Sequence, residues 1–229
     1  MRALLLAGGF GTRLRPLTDT MPKCLVPING RALLGIWLER LHQAEIGPVL
    51  INTHYLSGQV EAFIETSPYQ DNVRLVHELE LQGTAGTLIR NLDYFKGDDA
   101  ILIHADNYCL ADLSVFIRAH RTRPKDCAMT MMTFHTTHPE SCGIVELDGR
   151  GVVTAFYEKV ENPPGNIANG GVYILSSELL MQLGANFQNA REFTTDVIPH
   201  FIGKIYSYHT SEKFLDIGTP ERYAAANEQ

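Results

Sequence analysis

Hydrophobic residues follow two alternating patterns over the first 135 residues of the chain. Short apolar runs of strand length occupy residues 2–7, 49–53, 73–77, 100–105 and 127–134. Between them, apolar residues recur at helical spacing, as Leu34, Trp37, Leu38 and Leu41 do at i, i+3, i+4 and i+7. Helices are also predicted at 55–65, 84–92 and 112–120. Strands that alternate with helices of this length predict a largely parallel sheet covered by helices on both faces.

The pattern changes after residue 140. Residues 143–147 and 152–158 are predicted to pair as a hairpin around the turn sequence Asp148-Gly149-Arg150-Gly151. A further strand is predicted at 170–175, and Thr219 followed by Pro220 predicts the start of the last helix. The expected fold is therefore a Rossmann-like three-layer α/β/α domain with a mostly parallel mixed sheet, to which the second half adds a small β-rich lobe.

Composition limits the class of protein. With 229 residues, of which 45% are apolar, the chain can bury one sizeable core, so one domain over residues 1–229 is predicted. The net charge of -7 argues against nucleic acid or an anionic membrane surface as a partner. Cys24, Cys109, Cys127 and Cys142 have neither C-x-x-C nor zinc spacing, which predicts reduced thiols in a cytoplasmic protein. Neither a signal peptide nor a membrane span is expected.

The most informative segment follows the first predicted strand and reads Ala7-Gly8-Gly9-Phe10-Gly11-Thr12-Arg13. Glycines let backbone N–H groups approach a phosphate, and the nearby Arg13, Arg15 and Lys23 supply charge that the backbone lacks. The third glycine of G-x-G-x-x-G is missing, and the run G-x-x-x-x-G-K-[ST] does not occur. A plain strand-to-helix turn is the alternative, but such a turn would not require the three cations.

The string G-G-F-G-T-R-L-R-P-L-T at 8–18, followed by P-K-C-L-V-P at 22–27, resembles the signature of sugar-1-phosphate nucleotidylyltransferases. The resemblance runs from residue 1 to about 223 and implies that an NTP and a sugar 1-phosphate react to give an NDP-sugar and pyrophosphate. The half 1–135 would bind the nucleotide and the half 136–229 the sugar phosphate. A phosphate oxygen that is already anionic needs no general base, so catalysis is expected from positioning and charge neutralisation.

The same resemblance implies Mg²⁺ as the cofactor, for which Mn²⁺ can substitute. Asp106 follows the strand 100–105 at the sheet edge where ligands of open α/β sheets bind, and a carboxylate there suits a hard cation. In the family an Asp at this place binds the metal after a Gly, which is Ala105 here. Asp216 lies in D-I-G-T-P, whose Asp completes the family's metal site. For both residues, a role in a turn is the structural alternative.

Three further segments resemble the family's sugar-phosphate site. Glu158 and Lys159 resemble its E-K pair, in which the carboxylate accepts hydrogen bonds from sugar hydroxyls and the ammonium contacts the phosphate. Neighbouring strand residues face opposite sides, so both can reach one ligand only where the strand ends or bulges. Asn169 and Gly143 match residues that approach the sugar. A surface ion pair and plain turns are the alternatives.

The segment Gln82-Gly83-Thr84-Ala85-Gly86 resembles the family's L-G-T-A-G, which packs on the base, although a helix start would look similar. Together the resemblance implies catalytic roles for Arg13, Lys23, Asp106 and Asp216, and nucleotide contacts from Ala7, Gly8, Gly9, Gly11, Thr12, Arg13, Gln82, Gly83 and Thr84.

The expected substrates are GTP with mannose 1-phosphate or a manno-configured heptose 1-phosphate, because the segments at 82–86 and 169–173 look more like those of guanylyltransferases. UTP or dTTP as the nucleotide stays open, as does a non-catalytic regulatory homologue that senses nucleotide sugars, although such a protein would be expected to lose a metal Asp, Arg13 or Lys23. A cytidylyltransferase for a non-sugar phosphate would need a different acceptor lobe, and Glu158, Asn169 and Gly143 argue against it. The sequence also leaves open whether the chain forms a homo-oligomer.

Overall fold

The computed structural model describes residues 1–228 of the chain. Its strands are β1 (Arg2–Leu6), β2 (Pro27–Ile28), β3 (Arg31–Ala32), β4 (Val49–Thr53), β5 (Val73–His77), β6 (Ala100–His104), β7 (Asn107–Cys109), β8 (Met129–His135), β9 (Gly143–Leu147), β10 (Val153–Glu158), β11 (Ile167–Leu175), β12 (Ile205–His209) and β13 (Phe214–Asp216). Its α-helices are α1 (Leu33–Gln43), α2 (Ser57–Glu65), α3 (Thr84–Arg90), α4 (Leu113–Arg121), α5 (Ser177–Asn186) and α6 (Pro220–Asn227).

The main sheet is mixed. Strands β5, β4, β1 and β6 lie side by side in that order and pair in parallel. Strand β11 then pairs antiparallel with β6 and β8, and β8 pairs in parallel with β12. The hairpin of β9 and β10 joins the sheet through Ala168 of β11, which lies opposite Ile144. The carboxyl ends of β1, β4, β5 and β6 therefore share one edge, where ligands of such sheets bind.

Alternation of side chains along the strands gives the sheet two apolar faces. Ala3 and Leu5 pack into one buried cluster with α1, α2 and α4, whereas Leu4 packs into the other with α3 and α5. The three-layer α/β/α arrangement and the mixed sheet are thus as predicted. Over residues 1–228, no helix is both long enough and apolar enough to cross a membrane.

Most predicted elements occur close to their predicted bounds. The helix expected at 84–92 ends at Arg90, and the turn Leu92–Phe95 is a 3₁₀ helix. The strand expected at 170–175 begins earlier, at Ile167. Thr219 caps α6 as predicted, since its hydroxyl accepts from the Arg222 N–H. Helix α5, strand β12 and the two small antiparallel pairs, β2–β3 and β7–β13, were not predicted.

Candidate active site

The glycine-rich loop leaves β1 and is held by side-chain hydrogen bonds. The Ala7 N–H donates to Asn52 Oδ1 (2.8 Å), and the Thr18 hydroxyl donates to the Gly11 carbonyl (2.8 Å). Gly11 has a φ of +64°, and a Cβ at this position would lie 2.9 Å from Thr18 Cγ2. Glycine is therefore required here both by conformation and by space.

This loop forms one wall of a cleft of about 520 Å³ at the carboxyl edge of the parallel strands. Of the residues predicted to bind the nucleotide, the following line this cleft: Ala7, Gly8, Gly9, Gly11, Thr12, Arg13, Gly83 and Thr84. Gln82 does not line it, because its side-chain amide turns away and donates to the Glu80 carbonyl (2.5 Å). Arg15 pairs with Asp19 (3.1 Å) and also lies outside the cleft lining.

A second cleft of about 240 Å³ adjoins the first and is lined by Gly143, Glu158, Lys159 and Asn169. These are the residues predicted to bind the sugar phosphate. The two clefts have five lining residues in common: Arg13, Thr84, His104, Asp106 and Glu192. Except for Gln82, the structure therefore brings the two predicted residue sets to two adjacent clefts that meet at Asp106, with Arg13 and Thr84 on the lining of both.

Local backbone geometry explains how neighbours in sequence reach the same cleft. Strand β10 ends at Glu158, and Lys159 adopts a φ of +50°, which breaks the alternation of side chains. Glu158 and Lys159 also contact each other (3.2 Å). Asn169 is fixed by two hydrogen bonds, in which its amide donates to the Tyr173 hydroxyl (2.6 Å) and its Oδ1 accepts from the Gly171 N–H (3.0 Å).

The backbone of Gly143 forms part of the second cleft. A Cβ at this position would lie 2.5 Å from Phe156 Cζ and 2.7 Å from Glu158 Oε2. Any other residue would therefore displace the carboxylate that lines the cleft.

Strand pairing between β7 and β13 joins the two predicted metal carboxylates. Asn107 lies opposite Asp216, so Asp106 and Asp216 approach each other although they are far apart in sequence. The buried Lys23 donates to Asp106 Oδ2 (2.7 Å) and lies 3.5 Å from Asp216 Oδ1. Desolvation alone would raise the pKa of Asp106, but the charge and the hydrogen bond of Lys23 act against it and help to hold this pKa below its ordinary value.

The donor set fits a hard divalent cation. One ammonium lies between both carboxylates, 2.7 Å from Asp106 Oδ2 and 3.5 Å from Asp216 Oδ1, so an oxygen of each faces the same point. Among the described residues, however, no group of three or more His, Cys, Asp or Glu side chains converges on a point. Mg²⁺ typically uses one or two carboxylates together with substrate phosphates and water, and Asp106 lines the same cleft as the glycine-rich loop.

Sequence reasoning missed several cleft residues. Glu78 follows β5 directly, is buried and lines the first cleft. Its carboxylate accepts from the Thr87 hydroxyl (2.6 Å) and the Gln82 N–H (3.3 Å). The signal that could have found it is the one used for Asp106, a carboxylate immediately after a parallel strand.

His104, the last residue of β6, lines both clefts and was also missed. Its buried Nε2 has no hydrogen-bond partner within residues 1–228. Burial lowers its pKa despite the carboxylates nearby, which favours a neutral ring.

Cys24, which follows Lys23 in the chain, is buried and lines the first cleft. Burial raises the pKa of Cys24 to about 12, so its thiol stays protonated at neutral pH and is no nucleophile. All four cysteines are free.

Comparison with known proteins gives consistent matches along the chain. The nucleotidyl transferase family model matches residues 2–229. Mannose-1-phosphate guanylyltransferase of Mycobacterium tuberculosis is 31% identical over 96% of this chain and 62% of its own length. Glucose-1-phosphate thymidylyltransferase of Streptomyces antibioticus is 26% identical over 95% of this chain and 58% of its own length. The chain thus spans about three fifths of the length of the curated relatives it matches.

Among solved structures, HddC from Yersinia pseudotuberculosis superposes with a TM-score of 0.82 at 27% identity. The alignment covers 99% of this chain and 97% of that chain. A structure of the same protein complexed with GMP-PN superposes with the same TM-score of 0.82 and the same coverage of both chains.

Proposed function

The chain belongs to the nucleotidyl transferase family, and from this premise we propose that it is a sugar-1-phosphate nucleotidylyltransferase that uses GTP and mannose 1-phosphate or a manno-configured heptose 1-phosphate. The observation that carries the reaction class is the meeting of two clefts at Asp106. One is walled by a glycine-rich loop, the other is lined by Glu158, Lys159 and Asn169, and Arg13 borders both. Such an arrangement suits two anionic substrates that react end to end.

In this proposal the nucleotide occupies the first cleft. Backbone N–H groups of the loop from Gly8 to Thr12 bind the triphosphate, and the exposed guanidinium of Arg13 clamps the two phosphates that leave as pyrophosphate. Lys23 acts as a point charge near the α-phosphate. Gly83 and Thr84 pack against the nucleoside.

The sugar 1-phosphate occupies the second cleft. Glu158 and Asn169 hold sugar hydroxyls, Lys159 holds the phosphate, and the backbone of Gly143 lies against the ring. Asn169 is well suited to this role because its hydrogen bonds to Tyr173 and Gly171 fix the plane of its amide.

The reaction is an in-line displacement at the α-phosphorus. A phosphate oxygen of the sugar 1-phosphate forms the new O–P bond, while the bond to the bridging oxygen of the β-phosphate breaks and pyrophosphate leaves with that electron pair. Asp106 and Asp216 would hold Mg²⁺ or Mn²⁺, which when bound neutralises charge on the phosphates. The protein's own contribution is to align the two anions and to supply the charges of Lys23 and Arg13.

The choice of guanine is supported by Glu78. Guanine presents two donors, N1–H and N2–H₂, on one edge, and a carboxylate accepts from both. Glu78 is a buried carboxylate in the first cleft, and two neighbouring donors, Thr87 and Gln82, fix its orientation. Uracil and thymine offer a single donor, N3–H, flanked by carbonyls that a carboxylate repels. Guanylyltransferases among the relatives are consistent with this choice, although a thymidylyltransferase also occurs among them.

The substrates can be tested by measuring pyrophosphate release for GTP, ATP, CTP, UTP and dTTP against a set of sugar 1-phosphates. The proposal expects the highest kcat/KM for GTP with a manno-configured sugar. A preference for UTP or dTTP would overturn the guanine assignment, and no turnover with any pair would favour the non-catalytic homologue.

A matched pair of variants tests the role of Glu78. Glu78→Gln replaces one acceptor oxygen by an NH₂ donor, so kcat/KM for GTP should fall by about 10- to 100-fold, because one good base contact is worth about 1–3 kcal/mol. The exposed Glu80, two residues along, lies outside the cleft lining, so Glu80→Gln should leave kcat/KM unchanged. Equal values for the two variants would remove Glu78 from base recognition.

A further inference from the structure

Arg222 lies in the first turn of α6, behind the site, and lines neither cleft. Its guanidinium is largely buried, with 20% of the side chain exposed. One end, Nη1, donates to Asp216 Oδ2 (3.2 Å). The other end, Nη2, donates to the hydroxyl of Ser141 (2.5 Å), which does line the second cleft.

These contacts divide the two oxygens of Asp216. Oδ2 is held by Arg222, while Oδ1 lies 3.5 Å from Lys23 Nζ on the side of Asp106. Gly218 packs against the same carboxylate, since a Cβ there would lie 3.0 Å from Asp216 Oδ1 and 3.1 Å from Oδ2. The carboxylate therefore presents one particular oxygen to the place where the two aspartates converge.

We propose that Arg222 is a positioning residue that fixes the rotation of the Asp216 carboxylate for the divalent cation. The inference rests on the proposed function, in which Asp106 and Asp216 share that cation. Metal-binding carboxylates are commonly oriented by outer hydrogen-bond partners, and loss of such a partner costs about 10- to 100-fold in metal affinity or activity. The planar fork of arginine can satisfy Asp216 and Ser141 at once, which a lysine ammonium cannot do with the same geometry.

The Arg222 guanidinium also links Asp216 to the lining of the second cleft, through its hydrogen bond to Ser141. Ser141 belongs to the turn Pro139–Ser141, which leads directly into Gly143 of β9. Arg222 thus holds Asp216 at a fixed distance from the loop against which the sugar phosphate is expected to bind.

The test compares binding of GTP with and without metal. Arg222→Met and Arg222→Lys are titrated with Mn²⁺–GTP, followed by water-proton relaxation, and with GTP in EDTA, followed by calorimetry. Arg150→Met is the matched control, because Arg150 pairs with Asp126 and Asp148 on an exposed turn. Arg222→Gln, which keeps one donor, replaces Arg222→Met should the latter not fold.

We expect the dissociation constant of Mn²⁺–GTP to rise about tenfold or more in Arg222→Met and less in Arg222→Lys. Binding of metal-free GTP should be unchanged, as should both affinities in the Arg150→Met control. A merely structural role would weaken both forms of GTP alike, and that result would overturn the inference, as would an unchanged Mn²⁺–GTP affinity. If the wild-type protein did not bind Mn²⁺–GTP more tightly than GTP in EDTA, the shared cation site itself would be wrong, and the inference with it.

Discussion

Lys23 is the buried basic side chain that contacts both candidate metal carboxylates, and the effect of its replacement on kcat can be predicted quantitatively. It is 7% exposed, donates to Asp106 at 2.7 Å and lies 3.5 Å from Asp216. Lys23→Met keeps an apolar stem of similar length and removes the ammonium, and with it the charge and the hydrogen bond to Asp106. The fold should persist, because Asp216 keeps its pair with Arg222 and 39% of the Asp106 side chain is exposed to water.

The magnitude follows from where the charge acts. A preorganised group aimed at charge that develops in the transition state contributes about 3–4 kcal/mol, so kcat should fall by roughly 100-fold or more. An interaction made mainly in the transition state changes kcat, whereas uniform ground-state binding changes KM. Arg13→Met is the informative comparison, since Arg13 is exposed beside the loop and should mainly raise KM for the NTP and for pyrophosphate.

The cation dependence distinguishes Lys23 from Arg222. In the proposed site Lys23 would compete with the divalent cation for both carboxylates, so the Mn²⁺ concentration for half-maximal rate should not rise in Lys23→Met. It should rise in Arg222→Met, where orientation of Asp216 is lost.

The assay is steady-state kinetics in both directions at several Mn²⁺ concentrations, with the exposed Lys125→Met as a control for loss of a lysine. An unchanged kcat for Lys23→Met would refute the reasoning and remove Lys23 from the catalytic residues. A fall in kcat that high Mn²⁺ restores would show instead that Lys23 acts on cation binding.

Two further predictions concern the carboxylates and stability. Asp106→Asn and Asp216→Asn should each lower turnover by orders of magnitude, because an amide keeps the size of the carboxylate but not its charge. Circular dichroism should show that the fold of both variants is intact. Near-wild-type turnover of either variant at saturating Mg²⁺ would contradict a shared site. Thermal stability should fall as the pH drops below about 6.5, because burial lowers the pKa of His120, whose Nδ1 bonds Thr130 (2.8 Å). The neutral ring stabilises the fold above the unfolded pKa, and this contribution is lost as the pH falls through the folded pKa. His120→Gln should flatten the pH profile of the melting temperature, and an unchanged slope would refute the assignment.

The sequence predicts the parts of the fold that local patterns determine. Strands β4 and β5 have the predicted bounds, because each is a short segment rich in β-branched and apolar residues. The helix α1 follows from the spacing of its buried face. By contrast, β7 and β13 have three residues each and are held mainly by pairing with each other, so no local pattern indicates them.

The candidate site divides in the same way. The glycine loop could be predicted because its chemistry and its backbone conformation reside in consecutive residues such as Gly11. Gln82 was predicted from the string around it, yet its amide turns to Glu80, and the neighbouring Glu78 occupies the cleft instead. The side chain that enters the cleft from this strand-to-helix segment is selected by contacts with the following helix. Here the Thr87 hydroxyl of α3 donates to the Glu78 carboxylate and holds it at the cleft.

The two carboxylates at the junction of the clefts show why tertiary contacts decide the chemistry. As isolated residues, Asp106 and Asp216 could each have been turn caps. Pairing of β7 with β13 brings them together, and it also gives them different surroundings. Asp106 pairs with Lys23, whereas Asp216 is shared between Lys23 on one oxygen and Arg222 on the other. Replacement of Lys23 therefore leaves Asp106 without its partner while Arg222 still orients Asp216. Replacement of Arg222 leaves Asp106 paired with Lys23 and leaves Asp216 with Lys23 alone. In the proposed cation site, the two aspartates should therefore respond differently to the loss of each neighbouring charge.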